Sequence, residues 1–516
     1  MKLVTVSEMQ SIERQADAGG LSYALMMENA GQGLAQEVVS RYSLHNEAGL
    51  INKAGGMVGS GNNGGDTLVA LIYLAERNWS VSACLVRPRP KEDLLLERFV
   101  RAGGSIIPLE SLQAWLQSFF SDDILLDGVL GTGVRLPLKP DLAEILDLTK
   151  RTLLGMLEPP HVVAVDCPSG VDCDSGSAAA ECIPAELTVT MAAIKRGLLS
   201  FPAYTLVGEI SLAGIGPLDD IPAWQGICRE VVDTPWVQRI IPSRPLDAHK
   251  GTFGTTLVVA GSVSFTGAAL LAGKAAYRSG TGWVTMAVPE PLHAALAGQF
   301  PEAPWLLLPH ERGFIAAPSA ELVLQNLGKP TAILLGPGFG LEPTTCQFLA
   351  NLLTPSLPPL VIDADGLKLL ARLPDWPSRL SPRAILTPHP GEMAVLTGLA
   401  LEEVQADRIG IAERYAHLWG HVVVLKGAFT VIASPAGKTA VIPVATPALA
   451  RAGTGDVLAG LIAGLRAQGV GAFEAATAGA WIHAQASLRA AEKLGSTACV
   501  LAGDVLEAVA GVMSLF

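Results

Sequence analysis

Two glycine-rich turns, each ending in an aspartate, constrain this chain more than any other feature. One is Gly59-Ser60-Gly61-Asn62-Asn63-Gly64-Gly65-Asp66; the other is Ala452-Gly453-Thr454-Gly455-Asp456. Bare backbone N–H groups in such a turn can close on an anion, and each turn leaves a carboxylate beside it. Each turn sits within an alternation of short apolar segments and helical periods, the pattern of βαβ units around a parallel sheet. The chain is thereby held to α/β architecture twice over, with one anion-handling site in each half. At 516 residues it is also too long for one ordinary core.

In the first half, Ser7 followed by Gln10 predicts a capping box, and a second helix is expected over 23–41. A further helix is expected over 68–77, and strands over 80–86, 124–127 and 162–166. Residues 51–58 read as a poorer strand, because Lys53-Ala54-Gly55-Gly56 is weak material for the centre of a sheet. The stretch from Gly216 to about Arg244 is rich in Pro, Asp and Trp without a period, and marks the domain boundary. We expect domains at 1–216 and 235–516, joined by a linker at 217–234. Beyond it, strands are expected over 255–260, 332–335, 360–362, 385–387 and 422–425, each ending in a polar or glycine turn. A last helix is expected from the second glycine turn to about Arg466.

Composition narrows the partners. The chain is 50% hydrophobic and 16% charged, with a net charge of −12. That balance argues against general nucleic-acid binding, so an anion must be held by local amides. Apolar stretches break before the ~18 residues of a membrane span. The residues from Met1 to Glu8 lack the apolar core of a signal peptide. The seven cysteines form no Cys-x-x-Cys pair; reduced thiols in a cytoplasmic protein are expected.

The first site takes shape at three strand ends. Gly59-x-Gly61-x-x-Gly64 matches a dinucleotide fingerprint, but the acid that should close the next strand is missing. Arg87 stands there instead, suited to a 2′-phosphate. Asp127-Gly128-Val129-Leu130-Gly131-Thr132-Gly133 and Asp166-Cys167-Pro168-Ser169-Gly170-Val171-Asp172 follow two more strands. Asn63, Asp127 and Ser169 together offer oxygen ligands for a hard monovalent or divalent cation.

These motifs in this order, with Leu25-Met26-Met27-Glu28-Asn29-Ala30-Gly31 ahead of them, resemble the NAD(P)H-hydrate epimerase domain over about 1–215. The resemblance implies a Rossmann-like three-layer sandwich. It implies that Asn62, Asn63, Gly64, Gly65, Asp66 and Gly131, Thr132, Gly133, Val134, Arg135, Leu136, Pro137 hold the hydrated dinucleotide. Asp166 would contact the damaged nicotinamide as a catalytic residue. Asn63, Asp127 and Ser169 would bind potassium. The family usually has Gly where this chain has Thr67.

The second half carries His249-Lys250-Gly251, Thr266-Gly267-Ala268, Gly336-Pro337-Gly338-Phe339-Gly340 and Asp363-Ala364-Asp365. Thr387-Pro388-His389-Pro390-Gly391-Glu392, Lys426-Gly427 and Gly453-Thr454-Gly455-Asp456 complete the set. Amides at a helix start stabilise charge building on a transferring phosphoryl group, and Asp456 could take a proton from an attacking hydroxyl. This is the layout of a ribokinase-like α/β domain. Within that fold the set resembles ADP-dependent NAD(P)H-hydrate dehydratase over about 235–516. The resemblance implies that Ala268, Gly340, His389 and Asp456 contact the hydrated substrate, with Asp456 catalytic. Lys426, Gly427, Ala428, Phe429, Thr430 and Gly455 would contact the adenine nucleotide. Arg451-Ala452 stand where the family commonly has a Gly.

Together the halves resemble the bifunctional NAD(P)H-hydrate repair enzymes. That implies an isomerase joined to a lyase, with potassium in the first domain, and Mg2+ and ADP in the second. NADH hydrate and NADPH hydrate would be the substrates, without nucleic acid or membrane partners, and a homo-oligomer is expected. Other readings stay open at this point. The second half also suits a small-molecule kinase, for example of a vitamin precursor. The first also suits a non-catalytic dinucleotide-binding module.

Overall fold

A computed structural model describes residues 1–43, 52–90 and 92–516. The chain forms two compact units, Met1–Cys228 and Arg229–Phe516. The boundary between them falls inside the 217–234 stretch. That stretch carries local structure of its own: a helical turn at Pro222–Gln225 and a strand at Arg229–Val231.

The first unit is a seven-stranded parallel sheet. Its central strands are Ser80–Leu85, Lys53–Val58, Ile124–Gly128, His161–Val165 and Leu187–Met191, in that spatial order. Ser105–Ile107 and Glu209–Ala213 form the edges. Helices Val6–Ala18, Tyr23–Tyr42 and Asn62–Ala75 bury one face through Ile12, Leu34, Leu68 and Leu71. Leu112–Leu116 and Pro140–Leu154 bury the other through Trp115, Leu116 and Leu146. This is the Rossmann-like three-layer sandwich.

Three local expectations change. The strand judged weak is Lys53–Val58, at the middle of the sheet; Ile51 lies outside the described residues. Its glycines are what both helix layers pack on. A Cβ on Gly55 would lie 2.3 Å from Phe119 Cζ, and one on Gly56 2.7 Å from Thr67 Cγ2. Packing room outweighs β-propensity here. The first helix is capped by Thr5 with Glu8, not by Ser7 with Gln10. The third helix starts at Asn62, six residues before the expected 68, so Asn62 to Asp66 are its first turns.

The second unit is built on a ten-stranded sheet. Trp305–Leu308, Trp283–Pro289, Thr255–Val259, Ala332–Leu335, Leu360–Ile362, Ile385–Leu386 and Val422–Leu425 run parallel in that order. The antiparallel strands Val431–Ala433 and Thr439–Val441 follow, and Arg229–Val231 closes the edge. Helices Thr266–Arg278, Thr454–Ala467, Ala472–Leu494 and Ala502–Met513 share one core with Val258, Leu334, Val361 and Ile385. This is the ribokinase-like α/β domain.

In both units strand order reverses once. The first reversal lies between Lys53–Val58 and Ile124–Gly128, the second between Thr255–Val259 and Ala332–Leu335. Ligands of open α/β sheets bind at the carboxyl ends of strands beside such a reversal. No described helix is long and apolar enough to cross a membrane.

Candidate active sites

At the first reversal the backbones touch. A Cβ on Gly64 would lie 2.0 Å from Gly59 O, and one on Gly59 2.1 Å from Val129 O. Gly61 caps the helix without a side-chain bond, leaving first-turn amides free for an anion. Thr67 fits because its neighbours are small: a Cβ on Gly128 would lie 1.8 Å from Thr67 Oγ1. The Thr67 hydroxyl donates to Asn63 O at 2.7 Å.

The three expected cation ligands converge around Leu130. Asn63 Nδ2 donates to Leu130 O at 3.1 Å and Val165 O at 2.5 Å, which leaves Oδ1 facing Gly131. Ser169 Oγ donates to Asp127 Oδ1 at 2.5 Å and accepts from Leu130 N at 2.9 Å. Ser169 N donates to Asp127 Oδ2 at 2.8 Å. Asp127 is fully buried, and among the described residues it has no Lys, Arg or His bound to it. Burial raises its pKa, against the lowering by the Ser169 and Val129 hydrogen bonds. An all-oxygen set around an uncompensated carboxylate fits a hard, weakly charged cation.

Asp166 lies one residue past the next strand, at φ 64°. Thr190 Oγ1, Met191 N and Lys195 Nζ all donate to its Oδ1, the first two at 3.0 and 2.9 Å. Lys195 is buried and also donates to Thr190 Oγ1 and Met191 O. Asp66 is buried too; desolvation, then the Asp166 and Glu13 charges, push its pKa well up, against Lys195. The rest of the expected dinucleotide site is more open. Asn62, Gly133, Arg135 and Pro137 are exposed, and Gly131, Thr132, Val134 and Leu136 half-buried. Arg87, suited to a 2′-phosphate, pairs with Asp141 on the surface.

In the second unit, strand ends bring acids and one lysine together. Lys426 Nζ donates to Asp363 Oδ1 at 2.6 Å and lies 3.7 Å from Glu392 Oε2. Thr387 Oγ1 donates to the same Asp363 oxygen at 2.7 Å. Burial alone would lower the Lys426 pKa; the Asp363, Glu392 and Asp456 charges outweigh it and raise it. Gly453 starts the last site helix at φ 92°, with no side-chain cap. A Cβ on Gly455 would lie 3.5 Å from Lys426 Nζ and 3.9 Å from Asp363 Oδ2. Gly455 therefore faces this ion pair, and the charges of Asp363 and Lys426 act on the adjoining Asp456. Burial first, then Asp363, Asp365 and Glu392, raise its pKa to about 7, against Lys426.

His389 is the N-cap of Pro390–Thr397, its Nδ1 accepting from Gly391 N at 3.0 Å and Glu392 N at 3.3 Å. Burial and the Lys426 and Lys368 charges lower its pKa, so the ring is neutral at pH 7 and half open to solvent. Gly340 N donates to Asp365 Oδ2 at 3.0 Å, and a Cβ on neighbouring Gly338 would lie 2.9 Å from Ala268 Cβ. Gly427 and Phe429 take positive φ, and Thr430 Oγ1 donates to Gly427 O at 2.9 Å. Arg408 braces this loop through Leu425 O and Lys426 O at 3.0 and 3.2 Å. Arg451 bonds Ala498 O while Thr454 Oγ1 holds Arg451 O at 2.9 Å, so the unusual Arg451 anchors the turn.

The structure thus clusters Asn63, Asp127 and Ser169; Asp66 and Asp166; and Gly455, Asp456 and Lys426. Sequence reasoning passed over Lys195, Glu13, Glu392, Asp363 and Arg408 as site residues. Asp363 and Glu392 stood in motifs at strand ends, a usable signal; Lys195, Glu13 and Arg408 carry none.

Comparison with known proteins gives one result over the whole chain. A family described as YjeF-related protein N-terminus matches residues 24–197, and one described as NAD(P)H-hydrate dehydratase matches residues 256–509. A bifunctional NAD(P)H-hydrate repair enzyme of Moorella thermoacetica is 35% identical, over 98% of this chain and 96% of its own. One from Salinibacter ruber is 36% identical, over 98% and 95%. A solved ADP/ATP-dependent NAD(P)H-hydrate dehydratase from Bacillus subtilis is 32% identical over 54% of this chain and 95% of its own, at a TM-score of 0.47.

Proposed function

We propose the following chemistry for a chain that belongs to the family of bifunctional NAD(P)H-hydrate repair enzymes. The chain is an epimerase joined to a nucleotide-dependent dehydratase. It repairs NADH and NADPH that have taken up water at the nicotinamide ring. The first domain exchanges R and S epimers, and the second returns the S epimer to NAD(P)H.

The observation that carries the second activity is Asp456 on the first turn of a helix whose Gly455 faces the Lys426–Asp363 pair. Hydroxide is a poor leaving group, so the ring hydroxyl must be converted before it departs. Asp456 takes the hydroxyl proton, and the oxygen attacks the β-phosphorus of ADP as AMP leaves. The phosphate ester then departs as phosphate, with loss of the proton from the adjacent ring carbon. The amides of Gly455 and Asp456 receive the charge on the transferring group. Ala268, Gly340 and His389 line the substrate, and Lys426 to Thr430 with Gly455 hold the nucleotide. Magnesium would be carried on the nucleotide phosphates and met by one or two carboxylates.

In the first domain, residues 62–66 and 131–137 would cradle the hydrated dinucleotide, with Asp166 on the nicotinamide. Asn63, Asp127 and Ser169 would hold potassium, which supplies the positive charge that buried Asp127 lacks. Seven free thiols suit a reducing, cytoplasmic setting. We further propose a homo-oligomer.

Product analysis tests the dehydratase reading. With S NADH hydrate and ADP, the account expects NADH, AMP and phosphate in equal amounts. Accumulation of a stable phosphorylated product would instead identify a small-molecule kinase.

A further inference from the structure

We propose that Asp166 and Asp66 are the base and acid of the epimerisation, and that Lys195 is a positioning residue that aims Asp166. The proposal rests on the epimerase reading above and assigns it a chemistry.

Three observations converge. All three donors to the Asp166 carboxylate land on Oδ1: Thr190 Oγ1, Met191 N and Lys195 Nζ. Oδ2 is left without a partner among the described residues, on a side chain 10% exposed. Lys195, in contrast, is only 1% exposed and its three donors go to Asp166, Thr190 and Met191. It has nothing left to offer a substrate and acts through Asp166. Asp66, in the second turn of the helix that begins at the glycine turn, is 7% exposed, and no described residue hydrogen-bonds its carboxyl. Its oxygens are not among the fully enclosed unpaired atoms, so the carboxyl is open to a ligand at the site.

The charged and titratable groups facing Asp66 come from three elements: Glu13 of the first helix, Asp166 after its strand, and Lys195. Cys167 beside them keeps a neutral thiol, its pKa pushed well up. Burial first, then the Asp166 and Glu13 charges, push the Asp66 pKa well up against Lys195, while Lys195 Nζ donates to Asp166 Oδ1. A carboxyl whose proton is favoured by its surroundings, beside one braced by three donors with an oxygen left open, makes an acid and a base.

The substrate chemistry fits that pair. Hydration of an enamine puts the hydroxyl on the carbon bonded to nitrogen, so the damaged ring is a hemiaminal. Asp166 Oδ2 takes the hydroxyl proton, the oxygen closes to a carbonyl, and the ring C–N bond breaks with its electron pair going to nitrogen. Asp66 protonates that nitrogen. The aldehyde rotates about its C–C bond and the nitrogen attacks its other face. The N–H proton returns to Asp66 and the oxygen regains its proton from Asp166, giving the other epimer. Nothing is oxidised or reduced, and both carboxyls end as they began. The alternative, expulsion of hydroxide, would give an iminium one proton loss from the repaired ring. A chain with a separate nucleotide-dependent domain for that removal has no use for such a route in its first site.

The test is steady-state exchange of R and S NADH hydrate by the full chain, with thermal unfolding of each variant as the control for folding. Asp66→Asn is nearly isosteric with a neutral acid. We expect kcat for exchange to fall about 10²-fold or more, with KM little changed and the control intact. In the wild type, exchange should fall at high pH as Asp66 loses its proton. Lys195→Met should move that alkaline limb up, because Lys195 lowers the Asp66 pKa; Glu13→Gln should move it down. A merely structural role would move neither limb. Near-normal kcat in Asp66→Asn, or a loss confined to KM, overturns the proposal while the epimerase reading stands. A wild type that exchanges no epimers overturns both.

Discussion

The Lys426 ammonium lies 2.6 Å from Asp363 Oδ1, joining the ends of two strands that are not neighbours in the sheet. The strand Ile385–Leu386 between them contributes Thr387, which donates to the same oxygen at 2.7 Å. That pair sets the field in which Asp456 titrates, because Asp363 raises its pKa and Lys426 lowers it.

Asp456→Asn should lower dehydratase kcat about 10²-fold or more. In the wild type, kcat/KM should rise with pH through about 7, since the base must be ionised. The substitution should also stabilise the fold. The folded pKa lies above the ordinary 3.8, so native stability is lost as pH rises from about 4 towards 7. The gain at pH 8 has a ceiling of about 4 kcal/mol at ~1.4 kcal/mol per unit. Thermal unfolding at pH 5 and 8 measures it; a destabilised variant at pH 8 would refute the electrostatic account.

Lys426→Met removes the charge that lowers the Asp456 pKa. The rise of dehydratase activity with pH should move above 7, and nucleotide binding should weaken about tenfold or more, since a charged contact of about 1.5–3 kcal/mol is lost. An unmoved profile would mean that a group other than Asp456 titrates.

Ser169→Ala deletes the hydroxyl that donates to Asp127 Oδ1 at 2.5 Å. The potassium concentration for half-maximal epimerase activity should rise about tenfold, the effect of ~1.4 kcal/mol. S-epimer dehydration should not change. Identical potassium dependence in the two proteins would remove Ser169 from the cation site.

Much of this was legible because α/β sheets put their chemistry at strand ends. Asn63, Asp127, Ser169 and Asp456 follow apolar runs that could only be strands or helix starts, and their residue types name oxygen or proton chemistry. What stayed hidden depends on packing across the fold. Gly55-Gly56 contradicts local propensity and is central because Phe119, Trp115, Thr67 and Leu71 press on its backbone. Lys195 follows Met191-Ala192-Ala193-Ile194 with no motif around it, and meets Asp166 only once the chain is folded. Glu13 looks like any residue on an exposed helix face.

Gly55→Ala should destabilise the first unit by about 1–3 kcal/mol, the usual cost of overfilling a core. Its Cβ would stand 2.3 Å from Phe119 Cζ and 2.5 Å from Trp115 Cζ2. Gly214→Ala, where nothing lies within 4 Å of the added carbon, should change stability by less than about 0.5 kcal/mol. Equal midpoints for the two variants would contradict the packing described.

The most direct test of the whole account is absorbance at 340 nm after adding the protein to mixed R and S NADH hydrate, with ADP, magnesium and potassium. The account predicts rapid recovery of the entire NADH signal. Recovery that halts at the S fraction and then creeps at the spontaneous rate would contradict the epimerase. No nucleotide-dependent recovery, with ATP failing as well, would contradict the repair function altogether.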